Sequence, residues 1–150
     1  MHMNAQYIAP CGLNCRVCGA VCHPNPVPCV GCLGGEGYQY RHCVTCEIVH
    51  CEKHASLPDE FCDTCPEYPC EAVREKQSRY TTAYPVYESP VDNLRFLRRY
   101  GMAALLAREE AYWRCPSCGG VICVHDGVCE SCGRSWKKGR EGQEEAHGDF

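Results

Sequence analysis

Apolar positions recur at helical spacing in one long stretch of the chain. Val91, Leu94 and Leu97 share a face, and Met102, Leu105 and Leu106 resume an apolar face that runs on to Tyr112 and Trp113. Ser89, followed by Pro90 and Asp92, predicts the start of this helix: a hydroxyl cap, a proline in the first turn and an acid near the positive helix end. Gly101 interrupts or bends it. Arg95, Arg98, Arg99, Arg108, Glu109 and Glu110 are most simply its solvated side, with an exposed basic patch at Arg95, Arg98 and Arg99 as the weaker, functional reading. Upstream, residues 71–88 begin as a short polar helix and become a linker. Tyr7 and Ile8 fit a short strand, and residues 121–124 and 127–128 fit two short strands of a ribbon. Residues 23–28, H-P-N-P-V-P, read as an extended loop.

Elsewhere the apolar pattern is thin. The chain has 150 residues with three Phe and two Trp, against 17 Cys. That is enough for one domain or two small ones, with a core that needs cross-links or metal. The N-terminal M-H-M-N-A-Q-Y-I-A-P lacks a basic region followed by a long apolar run, so no signal peptide is expected. No run approaches the ~18 apolar residues of a membrane helix. A cytoplasmic location is the expectation, where thiols stay reduced; an odd cysteine count and repeated C-x2-C pairs favour metal over disulfides. The formal charge of -4 becomes more negative when metal binding deprotonates the thiols. Four four-thiolate sites would take it to about -12. That weighs against nucleic acid as a partner.

The cysteines fall into sets. Cys11, Cys15, Cys18 and Cys22 read C-x3-C-x2-C-x3-C, which places their thiols close together in helical or turn geometry. The first three match a radical-enzyme cluster motif, but the barrel such enzymes use needs about 200 residues. Cys29, Cys32, Cys43 and Cys46 read C-x2-C-x10-C-x2-C, a zinc spacing. The intervening Gly34, Gly35 and Gly37 lack the Lys-Ser/Thr ending of a phosphate loop and read as a flexible turn. Cys43, Cys46 and Cys51 share the pattern C-x2-C-x4-C with Cys62, Cys65 and Cys70. The simplest partition follows chain order, with Cys51, Cys62, Cys65 and Cys70 as the third set; interleaved partitions remain open. His23, His42, His50 and His54 could each replace a thiolate, but a surface or outer role is favoured because the cysteine arithmetic closes without them.

The strongest local signal is C-terminal. Cys115-Pro-Ser-Cys118-Gly and Cys129-Glu-Ser-Cys132-Gly are two knuckles in which the glycine relieves backbone strain and lets amides turn toward sulfur. Cys123 lies between them as the odd cysteine, expected to serve as a small buried apolar residue. Residues 137–150 are charged, contain glycine and are expected to be disordered.

Ile8-Ala-Pro-Cys11-Gly-Leu-Asn-Cys15, the C-x-G-C at Cys29 to Cys32, the C-x2-C-x-I-x2-C at Cys43 to Cys51 and the C-x2-C-P-E-Y-P-C at Cys62 to Cys70 resemble the cysteine-rich domain of unknown function 3795 family. The resemblance covers about residues 7–75. N-L-R-F-L-R-R-Y-G followed by W-R-C-P-S-C-G-G resembles the helix and ribbon that some members carry. It supports the cysteine grouping and implies no activity.

The reading is a small, metal-stabilised, irregular α+β fold. It comprises a cysteine-rich metal domain over residues 7–75, a linker and helical segment over 76–113, a zinc ribbon over 114–136 and a tail. Sixteen cysteines divide into about four zinc sites. The function this supports is a non-enzymatic zinc-binding interaction or scaffold module with a protein partner, no catalytic residues and no membrane. Two other readings stand beside it: an iron-sulfur cluster in the N-terminal domain for electron transfer, and a thiol-redox or metal-handling protein, for which no C-x2-C pair is marked out.

Overall fold

The computed structural model describes residues 3–23, 29, 48, 51, 57, 59 and 61–137. Cys32, Cys43, Cys46, His42, His50, His54, the glycines at 34, 35 and 37, and the tail from 138 lie outside the described residues. Among the described residues, four α-helices follow one another: α1 (Gly19–Cys22), α2 (Glu71–Thr82), α3 (Pro90–Tyr100) and α4 (Met102–Tyr112). Single 3-10 turns form at Ala5–Tyr7, Cys15–Val17 and Cys62–Thr64. Among the described residues, β pairing is confined to isolated antiparallel bridges: Ile8 with Asn14, Arg114 with Val121, Ile122 with Cys129, and Val128 with Ser135. The fold is therefore small, cysteine-rich and α-rich, with less strand than an α+β reading expects. In the ribbon, closely spaced turns leave no room for longer ladders.

The expected strand at Tyr7 and Ile8 is instead a 3-10 turn ending in the Ile8 bridge. The cause lies just downstream, where Ala9 N donates to Leu13 O (2.8 Å) and Gly12 N to Ala9 O (2.8 Å), closing a tight loop. Gly12 has φ +100°, and a Cβ there would come 2.3 Å from the Pro90 carbonyl oxygen and 2.9 Å from Leu94 Cγ. Only glycine lets this loop seat against the start of α3.

The start of α3 is as the sequence predicts: Ser89 Oγ accepts from Asp92 N at 3.1 Å. Gly101, at φ 90°, separates two helices instead of bending one. That break resets the helical phase, and it overturns the solvated-side assignment at two positions. Arg108 and Glu109 are buried, at 6% and 1% exposure. Arg98 behaves as a surface residue but is engaged by Asp59 and Asp63; Arg95 pairs with Asp92 at 2.9 Å.

Among the described residues the core forms three clusters. One joins Met3, Val17 and Cys22 to Tyr80, Val86, Tyr112, Trp113 and the ribbon residues Val121, Ile122, Cys123 and Val124. A second packs Ile8 against Leu94, Phe96, Leu97 and Leu105. A third packs Ala9, Cys11, Ile48 and Cys62 against Val73. The helical segment thus packs against both cysteine-rich ends. The ends also meet directly: Val124 N donates to Val17 O (2.8 Å), and Arg16 reaches both Glu130 oxygens at 2.5 and 3.3 Å.

Beneath the helices lies a buried polar hub. Asn14 N donates to Glu88 Oε1 (2.9 Å), and Asn14 Nδ2 reaches Glu109 Oε1 (3.4 Å). Asn93 Nδ2 donates to Gly12 O (2.9 Å), and Arg108 donates to Asn93 Oδ1. Arg108 Nη2 stands 3.6 Å from Glu109 Oε2, an ion pair beyond ordinary hydrogen-bond reach. Burial, reinforced by the nearby Glu109, pushes the Glu88 carboxyl up to about 8.

Candidate metal centre

The ribbon cluster begins with two local turns. Gly119 N donates to Cys115 O (2.9 Å) and Gly133 N to Cys129 O (3.1 Å), with φ of 81° and 75° at the two glycines. Each turn aims amides at sulfur: Gly120 N at Cys118 Sγ (3.4 Å) and Ser131 N at Cys129 Sγ (3.4 Å). The Arg114–Val121 and Ile122–Cys129 bridges then hold the two turns face to face. A Cβ at Gly120 would fall 2.9 Å from Cys129 Sγ, so the second knuckle packs onto the bare backbone of the first.

The result is a closed thiol group. The sulfurs of Cys115, Cys118, Cys129 and Cys132 lie within 4.8 Å of one another. Cys115 Sγ is 3.7 Å from Cys132 Sγ, and Cys118 Sγ is 3.5 Å from Cys129 Sγ. Burial raises the Cys115 thiol, but the Cys118 and Ser117 amides and the Cys132 and Cys129 thiols outweigh it, bringing it down to about 6. The Gly120 amide favours thiolate at Cys118, but Cys129 and the other thiols push it up to about 12. Four sulfurs this close repel one another as thiolates, and a bound cation removes that repulsion. This cluster can hold a metal ion.

The other cysteines are placed differently. Cys62 N donates to Pro10 O (2.9 Å), tying its 3-10 turn to the Ala9–Cys11 loop. Burial pushes the Cys62 thiol up to about 12, aided by the charges of Cys70, Cys51 and Cys65, the other members of the third chain-order set. Cys70 caps the start of α2. Cys11 and Cys15 pack beside Cys62 in the core cluster, and Cys29 N donates to Ala20 O (3.0 Å). Cys22 packs in the same core cluster as Cys123, and its thiol donates to Arg16 O (3.4 Å). No disulfide forms among the described cysteines.

Cys123 is fully buried, as expected of an apolar role, yet it is not in an apolar setting. One ligand atom each from His23, Cys123 and Asp126 come within 4.8 Å of one another. His23 Nε2 is 3.3 Å from Asp126 Oδ2. Sequence reasoning missed this group because its members sit about a hundred residues apart and follow no cysteine spacing. The available signal was a glycine, Gly127, four residues after Cys123, as Gly119 follows Cys115.

Among the described residues no helix is long and apolar enough to cross a membrane. No family model, no curated protein and no solved structure matches the chain.

Proposed function

We propose that this chain is a zinc-folded, non-enzymatic interaction or scaffold module whose ribbon ion is held by Cys115, Cys118, Cys129 and Cys132. The observation that carries this reading is the spacing of those sulfurs. A tetrahedral ion with bonds of about 2.3 Å to sulfur separates its ligands by about 3.8 Å. The pairs at 3.7 and 3.5 Å fit that edge, whereas a four-iron cube spreads its thiolates farther apart. With both knuckles closed by four thiolates, no coordination position remains for substrate, which fits a structural ion. The acidic balance of the chain supports a protein partner over nucleic acid. The likeness of residues 7–75 to the domain of unknown function 3795 belongs to this reading and adds no activity.

Elemental analysis of full-length protein purified without oxygen tests it. Zinc with no iron or labile sulfide is expected, and Cys129→Ala should remove one equivalent. Iron and sulfide near four per chain would instead support electron transfer by an N-terminal cluster. Retention of all zinc by Cys129→Ala would refute the ribbon assignment.

A further inference from the structure

We propose a second metal site, formed by His23, Cys123 and Asp126, that fastens the end of α1 to the ribbon with a mixed sulfur, nitrogen and oxygen shell. This site is independent of the ribbon's four thiols.

Its basis is a third knuckle. In the two recognised knuckles a cysteine is followed four residues later by a left-handed glycine whose amide returns to the cysteine carbonyl. Residues 123–127, Cys-Val-His-Asp-Gly, repeat the turn. Gly127 has φ 71°, and its N–H donates to Cys123 O at 2.9 Å. The knuckle's second ligand position, occupied by Cys118 and Cys132 in the other two, is here Asp126. A carboxylate is a competent zinc ligand there.

The opposite half comes from the end of α1. His23 N donates to Gly19 O (2.9 Å), which fixes the ligand residue at the helix terminus. His23, Cys123 and Asp126 already converge within 4.8 Å. Cys22, although adjacent to His23, stays outside this group, and its thiol donates to Arg16 O (3.4 Å). A thiolate, an imidazole and a carboxylate form a borderline-soft set suited to zinc.

The surroundings orient this set. Val128 N donates to Asp126 Oδ1 (2.9 Å), leaving Oδ2 toward His23. His125, although adjacent, is not a ligand. Its Nδ1 accepts from Gly19 N (3.0 Å) and its Nε2 shares a hydrogen bond with Tyr80 OH (3.1 Å), so both ring nitrogens are committed. It is a positioning residue that holds the third knuckle against α1.

The test uses full-length protein loaded with cobalt(II) under reducing conditions, with metal counted per chain. Cys123→Ala should lose one equivalent, Cys132→Ala one, and the double variant two. The visible bands lost with Cys123 should lie at higher energy than those lost with Cys132, because that site has one thiolate where the ribbon has four. Asp126→Asn and His23→Gln lie at the partly exposed side of the site, and each should release one equivalent to a chelator faster than wild type even if Cys123→Ala fails to fold. The proposal is overturned if Asp126→Asn and His23→Gln hold metal as wild type does. It is equally overturned if the bands lost with Cys123 are those of the four-thiolate centre. Because Cys132→Ala reports the ribbon alone, failure of that site and failure of this one are separable.

Discussion

The ribbon cluster and the buried polar hub both gather groups that do not tolerate burial alone, and they do so in opposite ways. The four ribbon thiols come from one short stretch, with Cys115–Cys132 and Cys118–Cys129 separated by 17 and 11 positions. Backbone turns place each sulfur, and the charge of the assembled group calls for a cation. The hub draws Asn14, Glu88, Asn93, Arg108 and Glu109 from three parts of the chain, its longest contact spanning 95 positions. Its charges are met from within, by Arg108 and a carboxyl proton. Local geometry thus supports a centre that calls for an outside ion, whereas tertiary packing supports one whose charges are offset within the fold and which depends on every element being in place.

The largest effect expected is loss of the ribbon ion. Structural zinc contributes ~10–16 kcal/mol in small zinc-folded peptides. Chelation or Cys129→Ala should therefore abolish the near-ultraviolet circular dichroism of Trp113, which packs in the ribbon-facing cluster. Survival of that signal would mean that the ribbon packs without metal and that the contrast with the hub is false.

Next is Arg108→Ala, which leaves two buried carboxyls without their cation. Removing one partner of a buried charge group costs about 3–5 kcal/mol. Urea denaturation of the metal-loaded chain should show this, and a change below 1 kcal/mol, on the order of a surface pair, would remove the hub's claim to matter. Arg108 also stacks 4.4 Å over the Phe96 ring, so Arg108→Met tests whether packing alone suffices.

A pH series separates the two regions. The folded pKa of Glu88 is raised from 4.5 to about 8. The folded state therefore holds this proton more tightly than the unfolded chain. Its stabilising contribution is full below pH 4.5 and is lost as pH rises toward 8, with a slope of at most about 1.4 kcal/mol per unit. Glu88→Gln keeps an acceptor for Asn14 N and should flatten that fall. The metal sites show the reverse trend, since thiolates bind metal better as pH rises. Measuring stability against pH for both proteins, with metal in excess, isolates the hub; parallel curves would show that Glu88 does not carry the proton.

The smallest is Ser89→Ala. The cap bond to Asp92 N should be worth about 1 kcal/mol, and it touches neither region directly. Ser89 Oγ also meets Gln77 Nε2 at 2.9 Å, so the loss should lie at the upper end of the capping range. An unchanged denaturation midpoint would place the start of α3 under the control of packing alone.

These features were not equally legible. The α3 start, the Gly101 break and the paired knuckles could be read in advance because each depends on residues within a few positions of one another. The burial of Arg108 and Glu109 could not: they looked like a polar face until Gly101 reset the phase. Cys123 was legible as buried but not as part of a polar group, since His23 reaches it only through the docking of α1. The short strand at Tyr7 and Ile8 failed because β propensity does not register a loop closed by Gly12 against α3.

The bond from Val124 to Val17 and the one from Gly19 to His125 set a schedule for synthesis. The second pair is 106 residues apart. At about 5–20 residues per second, the early segment waits roughly 5–20 s for its partner to leave the ribosome. During that interval Val17 and Cys22 have none of their ribbon neighbours. The nascent chain therefore carries an exposed apolar strip and unshielded thiols until its last module emerges. A chaperone or a metal donor acting during translation would meet the protein in that state.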